Sequence, residues 1–210
     1  MNIYPDKRVE RSKAALKTAL LELLEQKIFH HITISEIVES ANYNRGTFYA
    51  HFKAKEALLE EIVTETLEEM IHQIKHPYRT DTLVDLHNLA VEDISLFTYF
   101  LQNARLYKTL LSRNIQIDFR HRMAGAIEEL FIAEYDYELP QDSSLDQKWL
   151  YVYRAHGIAG LIIRWIEEDF SEPPLYMAEQ VVELMLVSTA VFKVKKSGAG
   201  YPQPSRKKRQ

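Results

Sequence analysis

Apolar residues recur at helical intervals along most of the chain. In KRVERSKAALKTALLELLEQK, residues 7–27, the positions Ala15, Leu16, Ala19, Leu20, Leu23 and Leu24 follow three- and four-residue steps, with Lys13, Lys17 and Glu22 on the other side. That spacing predicts an amphipathic helix with one buried stripe. IFHHI breaks the pattern, and TISE then sets Thr33 three residues before Glu36. At this interval a hydroxyl and a returning carboxylate satisfy each other's orphan amides, so a second helix starts at Thr33 with Ile34, Ile37, Val38 and Ala41 inward. Asn42 tolerates the left-handed backbone that stops a helix, and Asn44 caps a third, RGTFYAHF, whose Phe48 and Phe52 point inward. A fourth begins near Lys55 and Glu56. Its stripe of Leu58, Leu59, Ile62, Val63, Leu67, Met70, Ile71 and Ile74 ends at KHPYRTD, where a proline stops the helix.

Beyond Asp81 the pattern predicts helices over residues 83–103, 105–112, 115–134, 147–168 and 175–194. AEYDYELPQDSSLD reads as a long loop and FSEPP as a tight connection. KKSGAGYPQPSRKKRQ is polar, basic and proline-bearing, with nothing to bury, and reads as a disordered tail. With 6 Gly, 7 Pro and little alternation of period two, the expected fold is all-α. The expected units are a head over residues 1–55, a larger helical regulatory and dimerisation domain over 56–195 and a basic tail over 196–210.

Composition narrows the function. The chain of 210 residues is 46% hydrophobic and 27% charged, which are globular values. It has no cysteine, so a disulfide scaffold, a thiolate metal site and a cysteine nucleophile drop out together. The first residues are charged where a signal peptide needs an apolar stretch, and no window reads as a membrane span, so a cytoplasmic location is expected. The net charge of −4 is unevenly spread: residues 1–55 hold 9 Lys/Arg against 6 Asp/Glu, residues 56–195 hold 12 against 24, and residues 196–210 hold 5 against none. A basic head on an acidic body presents a local positive face despite the overall sign.

Helix, tight turn, helix is the arrangement that places a second helix in the DNA major groove. Arg45 and Thr47 lie at the start of that helix, where a guanidinium forks to guanine and a threonine meets a thymine methyl or a phosphate. Gly46 permits close backbone approach. Tyr43, Tyr49, His51 and Lys55 bring hydroxyl, imidazole and ammonium groups suited to phosphate, and Thr33 and Lys55 each sit at a helix start. Tyr43 could equally staple the turn.

ITISEIVESANYNRGTFYAHFKAKEALLEEIV, residues 32–63, resembles the signature of the TetR family of bacterial transcriptional regulators, and the match extends back to about Arg8. Asn42 stands where a glycine is common and Asn44 where a serine often caps; both substitutes keep the geometry. The resemblance implies a three-helix DNA-binding head, a fourth helix linking it to a helical regulatory body, and a homodimer on a palindromic double-stranded DNA operator, usually as a repressor. For matching positions it implies phosphate or base contacts from Thr33, Asn44, Arg45, Gly46, Thr47, Tyr49, His51 and Lys55. The portion from LFTYFLQNARLYKTLLSRN to WIEEDFSEPP further resembles a subgroup related to the dihydroxyacetone kinase regulator DhaS. In that subgroup some members bind a kinase subunit and activate transcription.

The two most apolar body segments are KWLYVYRAHGIAGLIIRWIEED and LYMAEQVVELMLVSTAVFKV. Gly157 and Gly160 permit close helix approach, and Leu161, Trp165, Val182 and Leu186 join them as an expected dimer seam, with an intrasubunit core as the alternative. Phe97, Phe100, Tyr107, Phe119, Met123, Tyr153, His156 and Arg164 mix apolar walls with polar tips and are candidates for an effector pocket, the alternative again being core packing. The effector, a small molecule or a protein, is not identified. No P-loop, dinucleotide glycine pattern, G-x-S-x-G or H-E-x-x-H occurs, so the chain reads as no enzyme, with no cofactor and no metal. A co-regulator acting through a protein partner, or a nonspecific architectural DNA-binding protein, are the remaining readings.

Overall fold

The computed structural model of the chain describes residues 7–79, 82–139, 141–188 and 191–195. The basic tail lies outside them. α1 (Lys7–Leu24) buries Leu16, Ala19, Leu20 and Leu24, the stripe its spacing predicts. A 3-10 turn over Phe29–His31 leads to α2 (Ile34–Ser40), whose capping box is formed on both sides: Glu36 N donates to Thr33 Oγ1 at 3.3 Å and Thr33 N to Glu36 Oε2 at 2.9 Å. Asn42, with φ 57°, takes the left-handed backbone that turns the chain into α3 (Arg45–His51). α4 (Lys55–Lys75) buries Leu58, Leu59, Ile62, Val63 and Met70. It is tied to α1 through Lys13 and Lys17, which pair with Glu61 and Glu65.

The body holds α5 (Leu96–Gln102), α6 (Ala104–Leu111), α7 (Phe119–Glu134), α8 (Gln147–Glu167) and α9 (Pro174–Ser188). The chain is predominantly helical, with a head of α1–α3 and a larger helical body, as the pattern predicts. α7 and α8 pack against each other most extensively, enclosing Phe119, Met123, Ile127, Ile162 and Trp165.

Several segments depart from the expected pattern. Residues 83–95 are not helical: β1 (Leu83–Asp85) is followed by 3-10 turns at 86–88 and 91–93. The Asp85 carboxylate accepts from His87 N at 3.0 Å and Asn88 Nδ2 at 2.9 Å, giving the backbone a local alternative to helix. The expected loop after α7 contains β2 (Tyr135–Tyr137), and the last expected helix gives way to β3 (Val191–Val194), rich in β-branched and aromatic side chains. β3 is the central strand of an antiparallel sheet ordered β1-β3-β2, with Val84 opposite Phe192 and Tyr137 opposite Phe192. Tyr78, Tyr135 and Tyr137 surround the buried Phe192 ring at centroid distances of 5.4, 4.9 and 5.3 Å. α7 also starts later than expected, at Phe119, because Asp118 caps it by accepting from His121 N at 3.0 Å.

Two routes join head to body. α4 is shared, packing on α1 at one end and on α5 and α7 along its length. The second is Asn114, between α6 and α7: its Nδ2 donates to Leu24 O at 2.7 Å and its carbonyl accepts from Phe29 N at 2.7 Å. Arg105 on α6 adds an ion pair to Glu25.

Candidate nucleic-acid interface

The start of α3 forms an exposed polar rim around a buried anchor. Phe48 is buried completely and Phe52 nearly so, 5.7 Å apart, holding α3 against α1 and α2. Around them Tyr43, Asn44, Arg45, Gly46 and Tyr49 are exposed and Thr47 is half-buried. Tyr43 is 39% and Tyr49 57% exposed, so neither ring is spent on the core. Asn44 Oδ1 accepts from Thr47 N at 2.9 Å, fixing the first turn of α3. A Cβ added at Gly46 would come within 3.1 Å of that cap oxygen, so glycine keeps the cap unstrained.

Arg45 is oriented rather than loose. Its Nε donates to Ser35 Oγ at 3.2 Å and its Nη2 reaches the same hydroxyl, so α2 aims the guanidinium fork of α3. Ser35 carries no local signal of this role, since its partner lies ten residues on, across the turn. On the α2 side Glu36 joins Lys27 and the Thr33 amide and hydroxyl. Those contacts, led by Lys27, hold its carboxyl down at about 2. Thr33 is exposed at this edge, although its hydroxyl is engaged with Glu36.

Two candidate phosphate ligands are used inside the protein. Lys55 Nζ donates to the carbonyls of Phe29 at 2.8 Å, His30 at 3.1 Å and Ile32 at 2.6 Å, which occupies all three ammonium hydrogens. It also lies 4.7 Å from the Phe29 ring centre. Lys55 therefore locks the 3-10 turn onto the start of α4 and has no donor left for DNA. His51 Nε2 lies 2.7 Å from Ser12 Oγ, whose hydroxyl also reaches Val9 O at 2.9 Å, so His51 ties α3 to α1. Lys53, exposed in the turn after α3 and absent from the residues the motif points to, is the lysine that faces solvent there.

The body candidates separate by face. Phe97, Phe100, Tyr107, Phe119 and Met123 are all buried; Phe100, Tyr107 and Phe119 pack edge-on or tilted at centroid distances of 4.5 and 6.1 Å as core, while Phe97 also lines a cavity. Tyr153, His156 and Arg164 lie exposed on the outer side of α8, the last two paired with Glu128 and Glu168. These eight do not converge on one pocket. An apolar cavity of about 50 Å³ does exist among Ile74, Tyr78, Phe97, Tyr135, Val182 and Phe192, below the end of α4. Tyr135 Oη is buried there and has no hydrogen-bond partner among the described residues, and burial holds its phenol well above the usual range.

Of the expected seam, Gly157 and Gly160 are exposed, with open space where a Cβ would stand. Leu161 and Leu186 are half-buried. Trp165 and Val182 face inward instead: the Trp165 indole donates to Glu172 O at 2.9 Å, and Val182 lines the cavity. The outer faces of α8 and α9 carry Trp149, Tyr153, Leu184 and Val187, the last 86% exposed. No helix among the described residues is long and apolar enough to cross a membrane, and none of their acidic or histidine groups sets up a metal site.

Comparison with known proteins agrees with this layout. A family model described as "Bacterial regulatory proteins, tetR family" matches residues 16–62, and a "Transcriptional regulator C-terminal region" model matches residues 94–186. The chain is 29% identical over 186 residues to the uncharacterized HTH-type transcriptional regulator YxbF of Bacillus subtilis (strain 168). That match covers 86% of this chain but only 46% of YxbF, so the chain spans under half of that relative's length. It is 24% identical over 179 residues to the dhaKLM operon transcriptional activator DhaS of Lactococcus lactis subsp. lactis (strain IL1403), covering 83% of this chain and 88% of that one. Among solved structures it shares its fold with a TetR transcriptional regulator of Streptococcus agalactiae 2603V (TM-score 0.59, 20% identity, 85% and 96% of the two chains). The solved dihydroxyacetone kinase operon activator DhaS gives a TM-score of 0.57 at 21% identity, covering 84% and 94%. These relatives are regulators rather than enzymes. Matched by family models in both head and body, the chain belongs to the TetR family of bacterial transcriptional regulators.

Proposed function

We propose that this regulator acts in the cytoplasm as a homodimer on a palindromic operator, reading bases through Arg45 and Thr47 and holding phosphates through Tyr43, Asn44, Gly46, Tyr49 and Lys53. The observation that carries this reading is the exposed rim at the start of α3, set rigidly by the Asn44 cap and by Ser35 on Arg45. Thr33 contributes through its place at the edge of α2. His51 and Lys55 keep this surface in shape from behind.

Dimerisation is assigned to the outer faces of α8 and α9. Gly157 and Leu161 there line a groove with Tyr153, Leu184 and Met185, next to the exposed Gly160, which a second copy of the same helix pair would fill. Heads joined this way must meet successive major grooves, about 34 Å apart. The default output is repression, by occupying the operator.

The effector reaches the head through α4. An apolar molecule with one polar group suits the cavity below Ile74 and Tyr78, with Tyr135 as its hydrogen-bond partner, and anything beyond a few atoms must push its walls apart. Displacing the end of α4 then changes the separation of the two heads. A second reading, activation through a protein partner, is favoured by the similarity to DhaS, which is named as an activator.

Selection of duplexes from a random pool by the purified protein, at near-physiological salt, tests the reading. A palindromic motif with half-sites about one helical turn apart is expected. Binding that enriches no motif and vanishes uniformly with salt would point to nonspecific DNA association instead.

A further inference from the structure

The internal cavity and the outer groove of α8 and α9 share a wall. Ile158, Val181 and Met185 line both the cavity of about 50 Å³ and the groove of about 90 Å³. Elsewhere the cavity is backed by packed rings: Phe97 lies 5.5 Å from Trp165, Phe131 lies 5.3 Å from Tyr135, and Phe192 sits among its three tyrosines. Of the three shared residues, Ile158 and Val181 are β-branched and stiff at χ1, whereas Met185 is unbranched with three rotatable bonds. The Met185 main chain is held in place. Its carbonyl accepts from Arg154 Nη2 at 2.8 Å, and the buried Arg154 guanidinium lies 4.3 Å from the Tyr137 ring centre. The Met185 side chain is thus the part of this wall that swings, and it swings toward the groove, which opens outward.

The lining also sets what the cavity accepts. None of the described residues around it carries a charge. Its polar groups are Gln73, whose amide is engaged by Ser95 at 3.1 Å and Glu69 at 2.7 Å, and the phenols of Tyr78 and Tyr135. The Tyr135 hydroxyl has no partner among the described residues and burial keeps it protonated, so it has a hydrogen to donate. A carboxylate or an ammonium would lose its water here and meet no opposite charge, whereas a carbonyl oxygen would satisfy the phenol.

We propose that Met185 is the gate of this cavity: an uncharged apolar molecule with one hydrogen-bond acceptor enters past it from the α8–α9 groove, and a second copy seated on that groove holds it shut. The gate rests on the cavity and the dimer assigned above. A space of this size cannot hold both a ligand and the inward Met185 side chain, which turns out into the place the second copy would take. Ligand and second copy then oppose each other, and by linkage each weakens the other by the same factor. This route reaches the DNA through the dimer, separately from α4.

Sedimentation of the full-length protein over a concentration series, with and without millimolar cyclopentanone, tests the gate. Cyclopentanecarboxylate serves as the charged counterpart, and the Met185 methyl resonance of methionine-labelled protein reports occupancy. The ketone is expected to shift that resonance and to raise the dimer dissociation constant about fivefold or more, and the carboxylate to do neither. In Met185→Ala the ketone should still bind, seen as a raised unfolding midpoint, while the dissociation constants with and without it become equal. If circular dichroism shows that this variant disturbs the fold, Met185→Val, too short to swing, repeats the measurement. A bound ketone that leaves the dimer dissociation constant unchanged overturns the gate and leaves the cavity reading standing. A ketone that moves neither signal overturns the cavity reading and the gate together, and a chain that stays monomeric throughout does the same to the dimer reading and the gate. Equal effects of ketone and carboxylate overturn the ligand class, and a ketone effect on the dimer that survives Met185→Ala overturns the role of Met185.

Discussion

Arg45 and Lys53 sit a few residues apart and are expected to behave differently. Losing a guanidinium that forks to a base should cost about 1–3 kcal/mol of discrimination at one base pair, whereas losing a phosphate contact should weaken all sequences alike and lower the salt slope by about one. Anisotropy titrations of Arg45→Ala and Lys53→Ala against the selected operator and a scrambled duplex, over a range of salt, check this. Lys55→Ala should instead lower the unfolding midpoint of the free protein, because three carbonyls lose their shared donor. Glu36 adds a pH dependence. Its folded pKa of about 2 lies below the ordinary value of 4.5, so its contribution is complete above that ordinary value and disappears as pH falls toward 2. The difference in urea midpoint between wild type and Glu36→Gln, which keeps the cap but not the charge, should therefore shrink from pH 6 to pH 3. The rim is legible in the sequence because Thr33 with Glu36, and Asn44 with Thr47, act as pairs three residues apart. The roles of Lys55 and His51 are hidden there because their partners lie 23–26 and 39 residues away.

Among elements, helices with local start signals are readable and those defined by distant partners are not. Thr33 and Asn44 announce their helices from sequence, whereas Asp118 shows itself as a cap only in the structure. The strands escape a sequence reading because three or four residues of β-branched and aromatic character also fit the end of a buried helix until their pairing is known. Of the pocket candidates only Phe97 reaches the cavity, for a related reason: aromatics at helical spacing show that a face turns inward, and not whether it meets side chains or a void. The loop between α6 and α7 has its own consequence. Asn114→Ala removes the side-chain bond to Leu24 O while leaving α4 intact. It should leave the proposed dimer unaffected and raise amide exchange in residues 24–31, measurable by hydrogen exchange with mass spectrometry.

At the scale of the whole molecule, the proposed dimer sets the head-to-head distance through the outer faces of α8 and α9. Leu161→Glu places a charge beside Gly157 and Leu184, where the second copy is assigned, and should convert dimer to monomer in analytical ultracentrifugation. Operator affinity should fall by at least tenfold while affinity for an isolated half-site is kept. A dimer unchanged by this substitution would move the interface elsewhere. The small sheet reaches further still. Its outer strands come from residues 83–85 and 135–137, and among the described residues both pair with residues 191–194, in the last described stretch of the chain. α1, α2 and α3 pack chiefly on one another and on α4, all within the first 75 residues, so these contacts can form as soon as those residues have left the ribosome. The Phe192 aromatic cluster has to wait until residues 191–194 have emerged, and closing such long loops is slow. A nascent chain thus holds an assembled DNA-reading head before the body that governs it is finished, and a message truncated ahead of Val191 would release a reader without its closed regulatory core.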